Sequence, residues 1–148
     1  MNIKMTKEER ESFLGGVHIG VISIPEEGRG PLTAPVWYQY EPGGELWFET
    51  EGKSRKAGLL KEGGRLSLLV QTETPPYQYV SLEGVITAIT PADLERHTRP
   101  MAHRYLGAEV GDGYIEATGG TDARASSIVV RMRPERWLTA DYSKQFPT

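Results

Sequence analysis

Three basic side chains and one serine follow Gly52, in the order Lys53-Ser54-Arg55-Lys56. Ser54 is a favourable N-cap for a helix that begins there, and the backbone amides of a first helical turn have no intrahelical partners. Such amides, together with adjacent cations, favour the binding of a phosphate. The alternative is a solvated basic turn, and the segment by itself does not decide between the two.

Other reactive residue types do not form a recognisable site. The chain has no cysteine, which excludes a thiol nucleophile and a thiolate metal site. His18, His97 and His103 are far apart in the sequence and lack ligand spacing, so we expect no metal site. No serine lies in the Gly-x-Ser-x-Gly context of serine hydrolases. Four aromatic residues could form walls for a planar ring, although each alone is more often core or interface: Trp37, Trp47, Tyr77 and Tyr79.

Length and charge narrow the class of protein. The 148 residues predict a single domain over 1–148. The net charge is −3 and the sequence pI is about 5.7, so no general basic field exists to bind nucleic acid. The charged start lacks the apolar segment of a signal peptide, and no apolar run is long enough to span a membrane. We therefore expect a cytoplasmic protein with a local anion site.

The elements that would position this segment follow from periodicity, glycine and proline. Thr6-x-x-Glu9 is a capping box, and Thr90-Pro91 resembles the start of a long helix. Pro35 should lie at a sheet edge, at a bulge or where the backbone faces a ligand, and the alternation around Gly84 shifts as at a bulge or a barrel corner. Strands are predicted at 17–24, 32–40, 45–50, 66–72, 79–89 and 126–139, helices at 7–14, 54–62 and 91–106, and no regular structure at 107–123.

The predicted order is α β β β α β β α β, with six strands and three helices. Short strands separated by glycine and proline turns favour antiparallel pairing over a parallel α/β sheet. The fold expected is mainly β (α+β): a six-stranded antiparallel Greek-key barrel with peripheral helices.

This order, the run from Leu32 to Val70 and the later segment YVSLEG resemble the split β-barrel flavin-binding family typified by pyridoxamine 5'-phosphate oxidase. The similarity is greatest to its actinobacterial branch, which binds the deazaflavin coenzyme F420. Thr50 followed by Ser54-Arg55-Lys56 matches the family's phosphate pattern. The resemblance implies a split barrel and a homodimer with the cofactor at its interface.

The resemblance also implies roles for particular residues. Thr50, Arg55 and Lys56 would hold the cofactor's phosphate, the backbone of residues 35–38 would face its ring, and Trp137 would approach from the partner chain. A glutamine of the family near the fifth strand is replaced by Tyr79, beside Gln78. The candidate cofactor-binding residues are thus Pro35, Val36, Trp37, Tyr38, Thr50, Lys53, Ser54, Arg55, Lys56, Tyr79 and Trp137.

The second strand lacks the arginine and the substrate-binding lysine of the oxidase, which argues against pyridoxamine phosphate oxidation. We expect instead a flavin- or deazaflavin-dependent oxidoreductase that acts on a small planar conjugated substrate. Lys53, Lys61 and Arg65 could neutralise the anionic tail of F420, which favours F420 over FMN. The alternative is a non-catalytic protein that binds or stores flavin.

Overall fold

The opening helix, α1 (Lys7–Leu14), has the predicted bounds. In the computed structural model, which describes residues 2–145, Thr6 Oγ1 accepts a hydrogen bond from the Glu9 amide at 3.1 Å. The Glu9 carboxylate accepts one from the Thr6 amide at 2.8 Å. The capping box is therefore present in both directions, and it fixes the start of the helix.

The strands form one antiparallel sheet, as predicted, but there are seven of them instead of six. The predicted strand at 32–40 breaks at Trp37 into two strands, which accounts for the difference. The sheet order is β2-β1-β5-β6-β7-β4-β3. The strands are β1 (Gly20–Ile24), β2 (Leu32–Val36), β3 (Tyr38–Tyr40), β4 (Leu46–Glu51), β5 (Arg65–Gln71), β6 (Gln78–Pro91) and β7 (Ser127–Asp141).

The two edges of this sheet meet at Trp37. Strands β2 and β3 lie at opposite ends of the sheet order, yet only one residue separates them along the chain. The sheet must therefore curl until its edges adjoin, while β2 pairs only with β1 and β3 only with β4. This arrangement is a split barrel in an α+β fold. Pro35 lies in edge strand β2, as its missing N–H predicts.

Tyr105 bridges the open seam between these edges. Its hydroxyl accepts a hydrogen bond from the Tyr38 amide at 3.0 Å and donates one to the His18 carbonyl at 2.6 Å. Its ring stacks on Trp37 with a centroid distance of 5.0 Å and an interplanar angle of 8°. The side chain of Tyr38 is fully buried in the barrel, where its hydroxyl donates to the Leu14 carbonyl at 2.5 Å.

Strands β6 and β7 are the longest elements, and they pair along almost their whole length. The register shifts between Glu83 and Gly84 and again between Ile86 and Ala88. The first shift confirms the bulge predicted at Gly84. A Cβ atom there would overlap the Arg133 carbonyl oxygen and lie 2.5 Å from Met132 Sδ, so only glycine fits this crossing.

The predicted helix at 91–106 begins too early. Thr90 and Pro91 instead pair with β7 at the end of β6, and the N-cap is Asp93, whose carboxylate accepts from the Arg96 amide at 2.8 Å. A π-helical turn, Leu94–Thr98, then leads into α3 (Arg99–Leu106). Tertiary pairing with β7 thus outweighs the local N-cap signal of Thr90-Pro91.

A helix, α4 (Ala108–Ala117), lies in the segment predicted to be irregular. The sequence did not predict this helix because it contains glycines, which are unfavourable in a helix interior unless packing requires them. Gly111 supplies that reason: a Cβ atom there would lie 3.0 Å from the backbone of Ala102, so glycine allows α3 and α4 to pack closely.

The helix α2 (Arg55–Gly58) is shorter than the predicted helix at 54–62 and forms a single turn. No helix within residues 2–145 is long and apolar enough to cross a membrane.

Candidate functional site

A cleft of about 500 Å³ lies beside the barrel seam. One wall is the end of β2, another is the outer end of β4, and the helical segments 94–106 and 108–124 complete it. Its lining residues are Ile19, Pro35, Val36, Trp37, Glu49, Thr50, Glu51, Lys56, Thr98, Met101, Tyr114, Arg124 and Ser127.

Five of the candidate cofactor-binding residues line this cleft: Pro35, Val36, Trp37, Thr50 and Lys56. They come from two neighbouring segments of the sequence, 35–37 and 50–56. Strand β4 carries Thr50 to the cleft, and the turn after β4 brings Lys56 alongside. The structure therefore brings the predicted phosphate and ring segments together at one site.

The Lys56 amine has no acidic partner. No carboxylate oxygen in the described part of the chain lies within 4.0 Å of its Nζ. Burial lowers the pKa of Lys56 because desolvation disfavours its charged form. A partly desolvated, unpaired cation that lines a cleft is a suitable receptor for an anion.

Two neighbours of Lys56, Ser54 and Arg55, already have protein partners. Ser54 is the predicted N-cap: its Oγ accepts from the Ala57 amide at 3.1 Å and donates to the Glu51 carbonyl at 2.7 Å. The Arg55 guanidinium contacts the Glu26 carboxylate at 2.5 Å, and Lys53 is exposed. A single helical turn has little macrodipole, so an anion at this position would interact mainly with side-chain charge.

Six candidate residues do not line the cleft: Lys53, Ser54 and Arg55 in the turn beside Lys56, and Tyr38, Tyr79 and Trp137 elsewhere. Tyr38 points into the barrel core. Tyr79 and Trp137 are on neighbouring strands β6 and β7, where Tyr79 pairs with Ala140 and Trp137 with Leu82. Trp137 is partly buried against the core, with its ring 6.4 Å from that of Tyr40 and the Arg10 guanidinium 4.5 Å from its centroid.

Two carboxylates that sequence reasoning missed line the cleft. Glu49 accepts a hydrogen bond from Thr98 Oγ1 at 2.6 Å. Glu51 accepts from Ser126 Oγ and, at 3.1 Å, from the Lys53 amide. The hydrogen bond from Ser126 lowers the pKa of Glu51 and holds it ionised. The alternation of β4 could have revealed both residues, because they share the face opposite the buried Phe48.

The outer wall of the cleft is aromatic. Trp37 contacts two other rings: Tyr105 stacks on it, and Tyr114 of α4 is tilted by 52° at a centroid distance of 5.3 Å. Such pairs favour defined relative orientations of the rings. Tyr114 was not among the candidates because the helix that carries it was not predicted. No group of three or more His, Cys, Asp or Glu within residues 2–145 is arranged as a metal site.

Comparison with known proteins places this architecture in a family. The model of the family described as pyridoxamine 5'-phosphate oxidase matches residues 6–141. The chain belongs to the pyridoxamine 5'-phosphate oxidase family. The seam, the phosphate segment and the ring segment all lie inside the matched range.

Solved structures share the fold of this family member. A conserved hypothetical protein from Mycobacterium tuberculosis is 25% identical, with a TM-score of 0.76 over 99% of this chain and 91% of that one. An F420 reductase is 19% identical, with a TM-score of 0.60 over 86% and 94%. An FAD-binding protein from Mesorhizobium loti is 14% identical, with a TM-score of 0.63 over 91% and 94%. None of the curated proteins compared with the chain matches it.

Proposed function

We propose that this protein is a cytoplasmic flavin- or deazaflavin-dependent oxidoreductase, with F420 favoured over FMN. The observation that carries the proposal is the unpaired, partly desolvated Lys56 amine in a cleft that Trp37 also lines. The similar fold of an F420 reductase and of an FAD-binding protein adds support. When bound, the cofactor would supply two-electron transfer, while the protein binds and orients the cofactor and excludes water from the site.

The residues present fit such a group. The volume of about 500 Å³ lies within the range of about 300 to 1,000 Å³ that is usual for ligand sites. Lys56 and the hydroxyl of Thr50 would hold the phosphate, and Arg55 could join them if it exchanged Glu26 for the ligand. Lys56 is thus the principal cation, because it alone of the two has no protein partner to give up.

The backbone at residues 35–37 suits the edge of a ring. Trp37 has no partner in either ladder, because the β1–β2 pairing ends at Val36 and the β3–β4 pairing begins at Tyr38. Its polar backbone groups are therefore candidates for hydrogen bonds to ring heteroatoms. The indole, fixed by Tyr105 and Tyr114, would limit where the ring and a planar substrate can lie.

The preference for F420 depends on additional positive charge. Lys53 and Lys61 are exposed and have no carboxylate within 4.0 Å among residues 2–145. Arg65 contributes less than its sequence position suggested, because it pairs with Glu83 and Glu135. The two lysines could neutralise part of the anionic tail of F420, whereas FMN has no such tail.

A homodimer would complete the site. A cleft that is open to solvent on one side cannot enclose a tricyclic ring to the extent usual in ligand pockets. Trp137 and Tyr79 do not line the cleft of their own chain. We propose that a second chain covers the open side of the cleft and supplies the missing wall.

Absorption spectra test the proposed function directly. The purified protein is titrated with FMN and with F420, aerobically and anaerobically, and we expect saturable spectral changes with a tighter fit to F420. The reduced complex is then mixed anaerobically with planar quinones and enones. Reoxidation that saturates with substrate supports catalysis, and binding without any reoxidation supports the alternative of a flavin-binding or flavin-storage protein. Binding of neither cofactor would refute the proposal.

A further inference from the structure

The charged groups of the cleft are not paired with one another. Two carboxylates, Glu49 and Glu51, and two cations, Lys56 and Arg124, line the same 500 Å³. Both carboxylates accept hydrogen bonds from neutral donors on Thr98, Ser126 and the backbone. Because neither carboxylate lies within 4.0 Å of either cation, the two cations are left available for a ligand.

Arg124 is held in place by neutral groups. Its Nη1 donates to the Gly120 carbonyl at 2.9 Å and its Nη2 to Thr118 Oγ1 at 2.6 Å. No carboxylate in the described part of the chain lies within 4.0 Å of it. A guanidinium carries five N–H donors, so these two bonds orient the group and leave three donors free.

The guanidinium also extends the aromatic wall. It lies 5.9 Å from the centroid of Tyr114, which contacts Trp37 in turn. A planar group that lies against Trp37 and Tyr114 would therefore have the Arg124 guanidinium beside it. The planar fork of arginine matches a carboxylate, which it can bind through two parallel hydrogen bonds.

We propose that Arg124 binds a carboxylate, separate from the phosphate that Lys56 would receive. The inference rests on the proposed function only in taking this cleft as the ligand site. The carboxylate could belong to a planar aromatic or conjugated acid that is the substrate, or to the anionic tail of the cofactor. The shared chemistry is a carboxylate at Arg124, and the experiment separates the two sources.

The first measurement needs no cofactor. Quenching of tryptophan fluorescence is followed during titration with 2-naphthoate and with its neutral amide, which differ only in charge. Arg124→Gln should weaken 2-naphthoate binding by about tenfold or more and leave the amide unchanged, because a charged hydrogen bond is lost. Arg124→Lys should give an intermediate value. Arg29→Gln, at an exposed arginine in the β1–β2 turn, serves as the control and should match the wild type.

The second measurement compares cofactors. If Arg124 receives the tail, Arg124→Gln should weaken F420 at least tenfold and leave FMN unchanged. If it receives the substrate, neither cofactor should be affected, and 2-naphthoate should still distinguish the variants when FMN is bound. Lys56→Ala should show the reverse pattern, with weak FMN binding and normal discrimination between acid and amide. Thermal melting confirms that Arg124→Lys remains folded.

Equal affinity of wild-type protein and Arg124→Gln for 2-naphthoate, together with equal affinity for F420, would overturn the inference. That result would leave FMN binding and its dependence on Lys56 intact, so it would not refute the proposed function. Conversely, failure to bind either cofactor would refute the proposed function, while a carboxylate preference that depends on Arg124 would still stand.

Discussion

At the scale of single residues, Lys56 and Arg55 show how similar side chains next to each other differ in availability. The Arg55 guanidinium is exposed and paired with Glu26. The Lys56 amine is unpaired and partly desolvated, so a bound phosphate would relieve an existing energetic penalty instead of displacing a partner. We therefore expect Lys56 to contribute more to phosphate binding than Arg55 does.

Replacing Lys56 should weaken phosphate binding strongly. We expect Lys56→Ala to reduce FMN affinity by about tenfold or more, since a charged hydrogen bond contributes roughly 1.5 to 3 kcal/mol. Arg55→Ala should have a smaller effect because Glu26 already neutralises that residue. Isothermal titration measures both, and Lys4→Ala, at an exposed lysine on the N-terminal segment, is the control. An unchanged FMN affinity in Lys56→Ala would exclude the site.

The affinity for FMN should fall as the pH rises. Burial lowers the pKa of Lys56 in the folded, unliganded protein, so its charge is lost below the usual lysine value of about 10.4. Phosphate would raise this pKa again, and binding above the lowered pKa must therefore take up a proton. Titrations between about pH 7 and 10 should show weakening that begins below the usual lysine range. Lys56→Ala should show a flatter profile, and parallel profiles would contradict the assignment.

The same shift has a defined effect on folding. A lysine whose folded pKa is below its unfolded pKa disfavours the folded state while it is charged, at pH values below the folded pKa. That penalty is relieved as the pH rises through the folded pKa towards the unfolded one. Lys56 therefore contributes a small loss of stability at neutral pH, which a bound anion would offset.

At the scale of elements, local signals located α1 and most strands, and packing decided the rest. The capping box at Thr6 and Glu9 is local, and α1 has its predicted bounds. The start of α3 was wrong because Thr90 pairs with Val129 of β7, 39 residues further along, and Pro91 pairs with Ile128, 37 residues further along. Helix α4 was missed because Gly111 is explained only by the backbone of α3. No local pattern reports such contacts.

The same division applies to the cleft. Five lining residues were predicted from the phosphate and ring segments, which both lie within residues 35–56. Thr98, Tyr114 and Arg124 were not predicted, because their elements were misplaced or missed and their positions depend on how α3 and α4 pack. The five predicted residues therefore all lie in one stretch of chain, residues 35–56.

Two glycines should respond in opposite directions to alanine. Gly84→Ala should destabilise the fold by about 1 to 3 kcal/mol or more, because its Cβ would overlap the β7 backbone at the bulge. Gly113→Ala is the matched control in α4, where no atom lies within 4 Å of the added Cβ. It should stabilise the protein by about 0.5 to 1 kcal/mol through helix propensity. Chemical denaturation measures both, and a neutral Gly84→Ala would contradict the tight crossing.

At the scale of the whole molecule, we expect a homodimer with two sites that each use both chains. Lys56→Ala and Trp137→Ala are mixed, so that a heterodimer contains one site with both native residues and one with neither. Recovery of one tight FMN site per mixed dimer would support this arrangement. Trp137→Ala alone should lose about 1 to 3 kcal/mol of binding.

Two controls accompany the mixing experiment. Trp137 packs on Arg10 and Tyr40 within its own chain, so the thermal stability of Trp137→Ala must be measured alongside its affinity. Sedimentation of the wild-type protein at micromolar concentration gives the oligomeric state independently. A monomer in that measurement, or no recovery of binding on mixing, would contradict the two-chain site.

The seam at Trp37 has a consequence for aggregation. Unpaired strand edges are templates for pairing with other molecules, and both edges of this sheet, β2 and β3, lie within one nine-residue run. Pro35 blunts one edge by removing a donor, and Tyr105 occupies the Tyr38 amide of the other. Tyr105→Phe keeps the ring on Trp37 but exposes that amide, so we expect it to form aggregates sooner than Tyr77→Phe, an exposed control, when light scattering is followed during heating. The prediction is that this single hydroxyl limits polymerisation through the edge of the barrel.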